Sequence, residues 1–291
     1  MIRGTGEWRM RLCIVILALM AATAAPAQGF DHEHKAWSGL LKKHVVLIGG
    51  GMASQVSYAG IAADRAALTS YLATLSRVTR QEFDGWSKAR QMAFLINAYN
   101  AHIVEKVLMR YPDIRSIWDF GKVFGNPFKD RFFSLLGREA SLDQIEHETL
   151  RKPGAYDEPR VHFAVNCASI GCPMLREEAY VAERLDAQLE EQTRRFLSDR
   201  SRNRYDPAGR RLEVSRIFDW YREDWTRGYR GFDGKSPPVQ SPGQFLARYA
   251  DVLATGSEHQ QLVRELKADL RFLEYDWALN DAGSVTGNSK R

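Results

Sequence analysis

Apolar positions along this chain repeat at helical spacing in some stretches and at every second residue in others, with glycine, proline and polar breaks between them. Residues 30–46 carry Trp37, Leu40, Leu41 and Val45 at helical spacing, and Gly49, Gly50 and Gly51 then break the helix. Residues 55–59 read as a short strand and 63–75 as a second helix. The strongest helix is predicted over 86–109, ended by Tyr111-Pro112. Its apolar residues lie on all sides: Met92, Ile96, Ile103 and Val107 on one, Ala93, Ala101, Val104 and Leu108 on the other. A helix apolar all round belongs at the centre of a domain. Asn97 falls within the second stripe, and Asn100 lies beside it, one turn on.

Beyond that helix, residues 116–125 are aromatic and glycine-rich and read as a loop. Residues 131–136 and Glu139-Ala140 form a hairpin around Gly137. Ser141-Leu142-Asp143-Gln144 is a capping box that opens a helix carrying Glu146 and His147, closed by Lys152-Pro153-Gly154. Residues 161–166 alternate as a strand, turning His162, Ala164 and Asn166 one way and Val161, Phe163 and Val165 the other. A turn over 169–173 follows, then a long Glu- and Arg-rich helix over 177–197, whose charges from Glu183 to Arg195 read as a solvated face. Residues 212–214 read as a strand, 217–225 as a short aromatic helix, 235–242 as a proline-rich surface loop, 244–253 as a helix and 272–277 as a last strand. The sum is an α+β fold: a mainly helical single domain around a central buried helix, with a small, mostly antiparallel sheet.

The N-terminus changes the setting. Arg3, Arg9 and Arg11 precede an apolar run over 12–25, and Ala25-Pro26-Ala27 supplies a small-x-small cleavage pattern, so residues 1–27 are expected to be a signal peptide. The run is shorter than the roughly 20 residues a spanning helix needs, and no later segment is long and apolar enough to replace it, so no stable transmembrane span is expected after cleavage. Cys13 lies at the start of the run, away from the cleavage point, which argues against a lipoprotein. The expected organisation is a globular domain over 28–280 and a polar, disordered tail over 281–291, in a protein exported to the periplasm or secreted. The formal net charge of +5 is spread without Lys/Arg blocks, so no nucleic-acid partner is suggested.

Candidate chemistry concentrates between Arg160 and Pro173. Removal of Cys13 leaves Cys167 and Cys172, and the sequence admits a reactive thiol, a disulfide between the two or an inert buried pair. A reactive Cys167 needs a base. Strand alternation turns His162 away from Cys167, so His147 is the better partner, with Glu146 beside it and Asn97 to orient a catalytic group or donate to an oxyanion. The bland alternatives are a helix end tied to the core by Glu146 and His147, and a structural buried amide at Asn97. The spacing of His162, Cys167 and Cys172 is wider than structural zinc sites prefer, and Cys-x4-Cys is longer than the thioredoxin-type pair, so neither metal nor cofactor is expected. The glycines at 49–51 lack the Gly-Lys-Ser/Thr ending of a phosphate loop. His32 and His34 are expected in solvent, and Trp220, Tyr221 and Trp225 in the core, although such aromatics also stack on sugars in exported proteins.

Four motifs in order give a resemblance: Phe94-Leu95-Ile96-Asn97-Ala98-Tyr99-Asn100-Ala101, Ser141-Leu142-Asp143-Gln144-Ile145-Glu146-His147, Val161-His162-Phe163-Ala164-Val165-Asn166-Cys167-Ala168-Ser169 with Gly171-Cys172-Pro173, and Ile217-Phe218-Asp219-Trp220-Tyr221-Arg222-Glu223-Asp224-Trp225. Over roughly residues 30 to 280 the chain resembles the domain-of-unknown-function family 547. The resemblance implies that Asn97, Asn100, Glu146, His147, His162, Asn166, Cys167, Ser169 and Cys172 occupy motif positions, and it brings no reaction with it. The central helix followed by strands is also similar to papain-like and transglutaminase-like cysteine folds, although those place the nucleophile at the start of the central helix, where this chain has asparagine. Two functions are expected. The first is an envelope binding or assembly domain, with an envelope partner or a small molecule as its ligand, in which Asn100, Asn166, Ser169 and Cys172 are structural. The second is a cysteine-dependent hydrolase or acyl transferase with Cys167 as nucleophile, His147 or His162 as base, and Glu146, Asn97 or Asn166 as orienting groups. An imidazole within reach of a free Cys167 sulfur on an open pocket separates the two.

Overall fold

The central helix organises everything around it. In the computed structural model, residues 29–121, 125–230 and 237–283 are described, together with Met1 and Gly234. The signal-peptide expectation at 1–27, residues 284–291 of the expected tail and the start of the 235–242 loop lie outside the described residues. The chain from Asp31 onward clusters as one unit. It begins with helix α1 (Lys35–His44), strand β1 (Val45–Ile48), a glycine turn and strand β2 (Ala53–Val56), paired antiparallel to β1. Helices α2 (Tyr58–Ala63), α3 (Arg65–Arg77) and α4 (Arg80–Asp84) lead into α5 (Lys88–Leu108). Ser87 caps α5, accepting a bond from the Arg90 amide, and every residue from Met92 to Leu108 except Glu105 is buried. That all-round burial is what the all-round apolar pattern demands.

After α5 come the hairpin strands β3 (Phe133–Leu135) and β4 (Arg138–Ala140) and a π-helical turn over Gln144–Leu150. The capping box forms in both directions: the Gln144 amide donates to Ser141 Oγ at 3.2 Å, and the Ser141 amide donates to Gln144 Oε1 at 3.1 Å. Helix α6 (Leu185–Ser198) carries the charged face, with i,i+4 pairs from Arg194 to Glu190 and from Arg195 to Glu191. Strands β5 (Arg204–Asp206) and β6 (Arg211–Val214), helices α7 (Ile217–Trp220), α8 (Pro242–Ala247), α9 (Ala250–Leu253) and α10 (Ser257–Arg264), and strand β7 (Asp269–Phe272) complete the chain. β5 pairs antiparallel with β6, and β6 pairs parallel with β7. An aromatic core of Phe163, Phe196, Phe218, Trp225 and Phe245 joins α6 to the later helices. The fold is the expected mainly helical α+β arrangement around a buried helix.

Local departures have physical causes. Residues 161–166 are not a strand; a 3-10 turn spans Pro159–Phe163. Pro159 presets a helical φ at the first position, and Glu158 accepts from the Arg160 amide. The backbone bonds that a neighbouring strand would make go to Asn100 instead: its Nδ2 donates to the Ala164 carbonyl at 2.9 Å, and the Asn166 amide donates to its Oδ1 at 2.9 Å. With no alternation, the argument that separated His162 from Cys167 falls. The last strand lies at Asp269–Phe272 instead of 272–277, and the chain that follows runs irregularly. An isolated bridge pairs Asp281 with Val56. His34 is buried, not solvated, because its Nδ1 lies 2.7 Å from the Tyr71 hydroxyl.

Candidate active or binding cleft

Three segments converge on one side of α5. The first is the loop after the 3-10 turn, where Cys167 and Cys172 form a disulfide with a Cα separation of 6.1 Å. Asn166 shapes this loop: its Oδ1 accepts from the Ala168 amide at 2.9 Å and its Nδ2 donates to the Pro173 carbonyl at 2.8 Å. The first of these bonds holds Ala168 in a left-handed conformation (φ 62°), which a residue with a Cβ adopts at a cost. The second segment is the turn after the capping box. Asp143, Glu146 and His147 stand at i, i+3 and i+4, so they share one face and all line the same cleft.

The third segment is the strap over residues 275–280, whose first three residues were expected to end the last strand. It lies against the disulfide loop: the Ile170 amide donates to the Ala278 carbonyl at 2.8 Å, the Gly171 amide to Asp276 at 2.8 Å, and the Asn280 amide to Ala168 at 3.2 Å. The Leu279 amide donates to the Arg115 carbonyl at 2.7 Å, tying in the turn that carries Trp118. The strap thus delivers Tyr275 to the sulfurs and Trp277 to the cleft. The hydroxyls of Ser169 and Tyr275 lie 3.0 and 3.1 Å from Cys167 Sγ. A disulfide sulfur carries no proton, so the hydroxyls donate. Burial pushes the Tyr275 hydroxyl well above its ordinary range, which keeps that proton in place.

Two hollows result, which share Glu146, Cys167 and Tyr221 in their walls. A small one of about 40 Å³ is lined by Glu146, His162, Cys167, Cys172 and Tyr221 among others. A larger, open one of about 270 Å³ has Tyr99, Trp118, Phe128, Trp220, Tyr221 and Trp277 as aromatic walls, with Asn126, Asp143, Glu146, His147 and Cys167 between them. Trp118 and Trp220 are 37% and 44% exposed, so each presents its ring to a ligand arriving from solvent. Trp220 therefore belongs to the cleft and not to the core where its sequence pattern placed it; Trp225 is fully buried as expected. Burial, followed by the negative charge of Glu146, raises the Tyr99 and Tyr221 phenols. A further hollow of about 580 Å³ lies between the glycine turn and α6, where Glu190, Glu191, Arg194 and Arg195 pair with one another.

Behind the cleft, His162 Nε2 lies 2.7 Å from Asp224 Oδ2. A carboxylate only accepts, so Nε2 carries the proton. The imidazole stacks on Tyr221 at 4.0 Å between centroids and is fully enclosed. Burial lowers the His162 pKa and outweighs the raising effect of Asp224, leaving the ring neutral. Asp224 itself is pulled down to about 2: burial opposes its ionisation, but the hydrogen bonds from His162 and Arg151 win. Arg151 Nε reaches the same Oδ2 at 2.6 Å. Arg151 also contacts His147 Nδ1 and lies 4.5 Å over the Tyr221 ring.

The structure thus brings Glu146, His147, His162, Cys167 and Cys172 together. Asn97 lines neither hollow: its Nδ2 donates to the Tyr180 carbonyl at 2.7 Å and its Oδ1 accepts from the Tyr180 amide at 3.0 Å. Asn100 and Asn166 are likewise taken up by backbone groups. Among the described residues, the hydrogen-bond partners of Cys167 Sγ are the hydroxyls of Ser169 and Tyr275, not an imidazole. With Cys167 and Cys172 bonded to each other, neither is a thiolate ligand, and no cluster of three or more His, Cys, Asp or Glu side chains among the described residues is placed to hold a metal ion. Sequence reasoning missed Asp224, Tyr275, Trp118 and Trp277 as neighbours of this site. Asp224 lay inside one of the four motifs, which was the available signal; Trp118, Tyr275 and Trp277 lie outside all four.

Residues 83–197 match the family model described as "Protein of unknown function, DUF547". The resemblance read from the motifs therefore holds over that span, which contains Tyr99, Glu146, His147, His162 and the disulfide but ends before Trp220, Asp224 and the strap. No curated protein and no solved structure matches the chain.

Proposed function

We propose that this chain is an exported binding domain of the cell envelope that holds a small ligand, or a small group of a larger partner, in the aromatic cleft beside the disulfide. One observation carries the reading: the Cys167 and Cys172 sulfurs are bonded to each other in the cleft wall, while a hollow of about 270 Å³ stays open beside them. A bonded sulfur is no nucleophile. Export is supported by the basic, apolar and small-residue order of residues 1–27 and by the oxidising compartments in which disulfides persist. The second reading is a cysteine-dependent hydrolase or acyl transferase that works only when the disulfide is reduced. It is favoured by a specific placement, since His162, backed by Asp224, lines the same small hollow as Cys167.

Thiol alkylation of the mature protein, with and without reductant and with Cys167→Ala as control, separates the two. The binding reading expects labelling only after reduction, with ligand affinity at the cleft kept in the oxidised protein. Rapid, pH-dependent labelling of Cys167 in untreated protein, together with hydrolysis of a thioester probe that Cys167→Ala abolishes, would overturn it.

A further inference from the structure

Resting on the binding reading, we infer that the cleft between Trp118, Trp220 and Trp277 and the carboxylates of Asp143 and Glu146 takes a small organic ammonium ion, an amine or quaternary ammonium group on a short apolar frame. The first argument is charge. Glu146 is only 7% exposed, and neither it nor Asp143 is paired with a lysine or arginine among the described residues. The nearest basic group to Asp143 is His147, whose Nε2 lies 3.8 Å away. A buried carboxylate without a cation is costly to hold, and a ligand that brings the cation removes the cost.

The second argument is the aromatic surface. Trp118 stands at 79° to Trp277 and at 76° to Phe128, so rings face the cleft from more than one direction. Ring faces attract cations electrostatically, most strongly when water is excluded. The hollow of about 270 Å³ is large enough to admit a small head group.

The test uses the oxidised mature protein and follows tryptophan fluorescence and heat during titration with choline, with its uncharged isostere 3,3-dimethylbutan-1-ol and with methyl β-glucoside. Choline is expected to saturate and to bind about tenfold more tightly than the isostere, the size of one desolvated cation–aromatic contact. Asp143→Asn and Glu146→Gln are each expected to weaken choline about tenfold and to leave the isostere unchanged; should Glu146→Gln not fold, Asp143→Asn carries the test. Equal binding of choline and its isostere, or saturation by the glucoside alone, overturns the ammonium assignment and leaves the binding reading standing. No response to any of the three, with turnover of a thioester appearing on reduction, overturns both.

Discussion

Asp224 shows how much one carboxylate organises. It takes the His162 Nε2–H at 2.7 Å and Arg151 Nε at 2.6 Å on one oxygen. On the other, Arg227 Nη1 stands 3.0 Å away, within ion-pair reach though off the line of a hydrogen bond. The side chain is 6% exposed, so these partners rather than water satisfy it. Removing one member of such a buried set leaves charges uncompensated, which costs about 3–5 kcal/mol. Asp224→Ala is expected to lower the unfolding free energy by about 3 kcal/mol or more in urea titrations, and Asp224→Asn by clearly less, because an amide oxygen can still accept from His162. A loss below about 1 kcal/mol for the alanine variant would mean that the network is not closed as described. The asparagines act on a different principle. Asn97 and Asn100 each offer one donor and one acceptor to a passing backbone, so both are consumed by structure.

At the scale of elements, the disulfide loop and the strap are one device. Gly171 is the point of closest approach: a Cβ built there would meet Tyr275 Cδ1 at 2.9 Å and the Asp276 backbone at 3.0 Å. Backbone atoms cannot swing aside as a side-chain end can, so Gly171→Ala must push the strap outward. The expected result is a loss of about 1–3 kcal/mol, as for other overpacked sites, together with faster reduction of the disulfide and a changed fluorescence of Trp277. Unchanged reduction kinetics in a normally folded variant would separate the strap from the loop. This device was largely illegible in the sequence. The central helix, the hairpin at 133–140 and the capping box were legible because each is specified by local period or cap chemistry. The 161–166 segment misled because its bonds go to the side chain of Asn100, sixty-odd residues away, and no local pattern encodes that. The candidate site was half legible for the same reason: Glu146 and His147 stand on one helix opened by a legible capping box, whereas Asp224, Tyr275 and Trp277 arrive from distant segments. A quoted cysteine pair also does not announce whether it is closed.

The whole molecule buries histidines in a way that sets its response to acid. Burial lowers His34 and His102 to about 3, and it lowers His162 as well. His34 reaches the Tyr71 hydroxyl, His162 reaches Asp224, and His102 stacks on Phe133 at 3.7 Å with its Nε2 unpartnered. Each ring is neutral when folded and takes up a proton near pH 6.5 when unfolded. Unfolding therefore binds protons below that value, and stability is full above about pH 6.5 and falls as the pH drops toward the folded values. Each histidine removes up to about 1.4 kcal/mol per pH unit in that window, and together they reach about 4 kcal/mol per unit, against a typical total of about 5–15 kcal/mol. Asp224, held at about 2, extends the loss to lower pH as it is protonated. The urea midpoint is expected to fall steeply from pH 6.5 to 4. His102→Leu supplies the control, since it removes one of these protons without removing a hydrogen bond or an ion pair. That variant should match or exceed the parent at pH 5 and show a slope shallower by about one proton. A flat profile for the parent, or an unchanged slope in His102→Leu, would show that these rings are already charged in the folded protein.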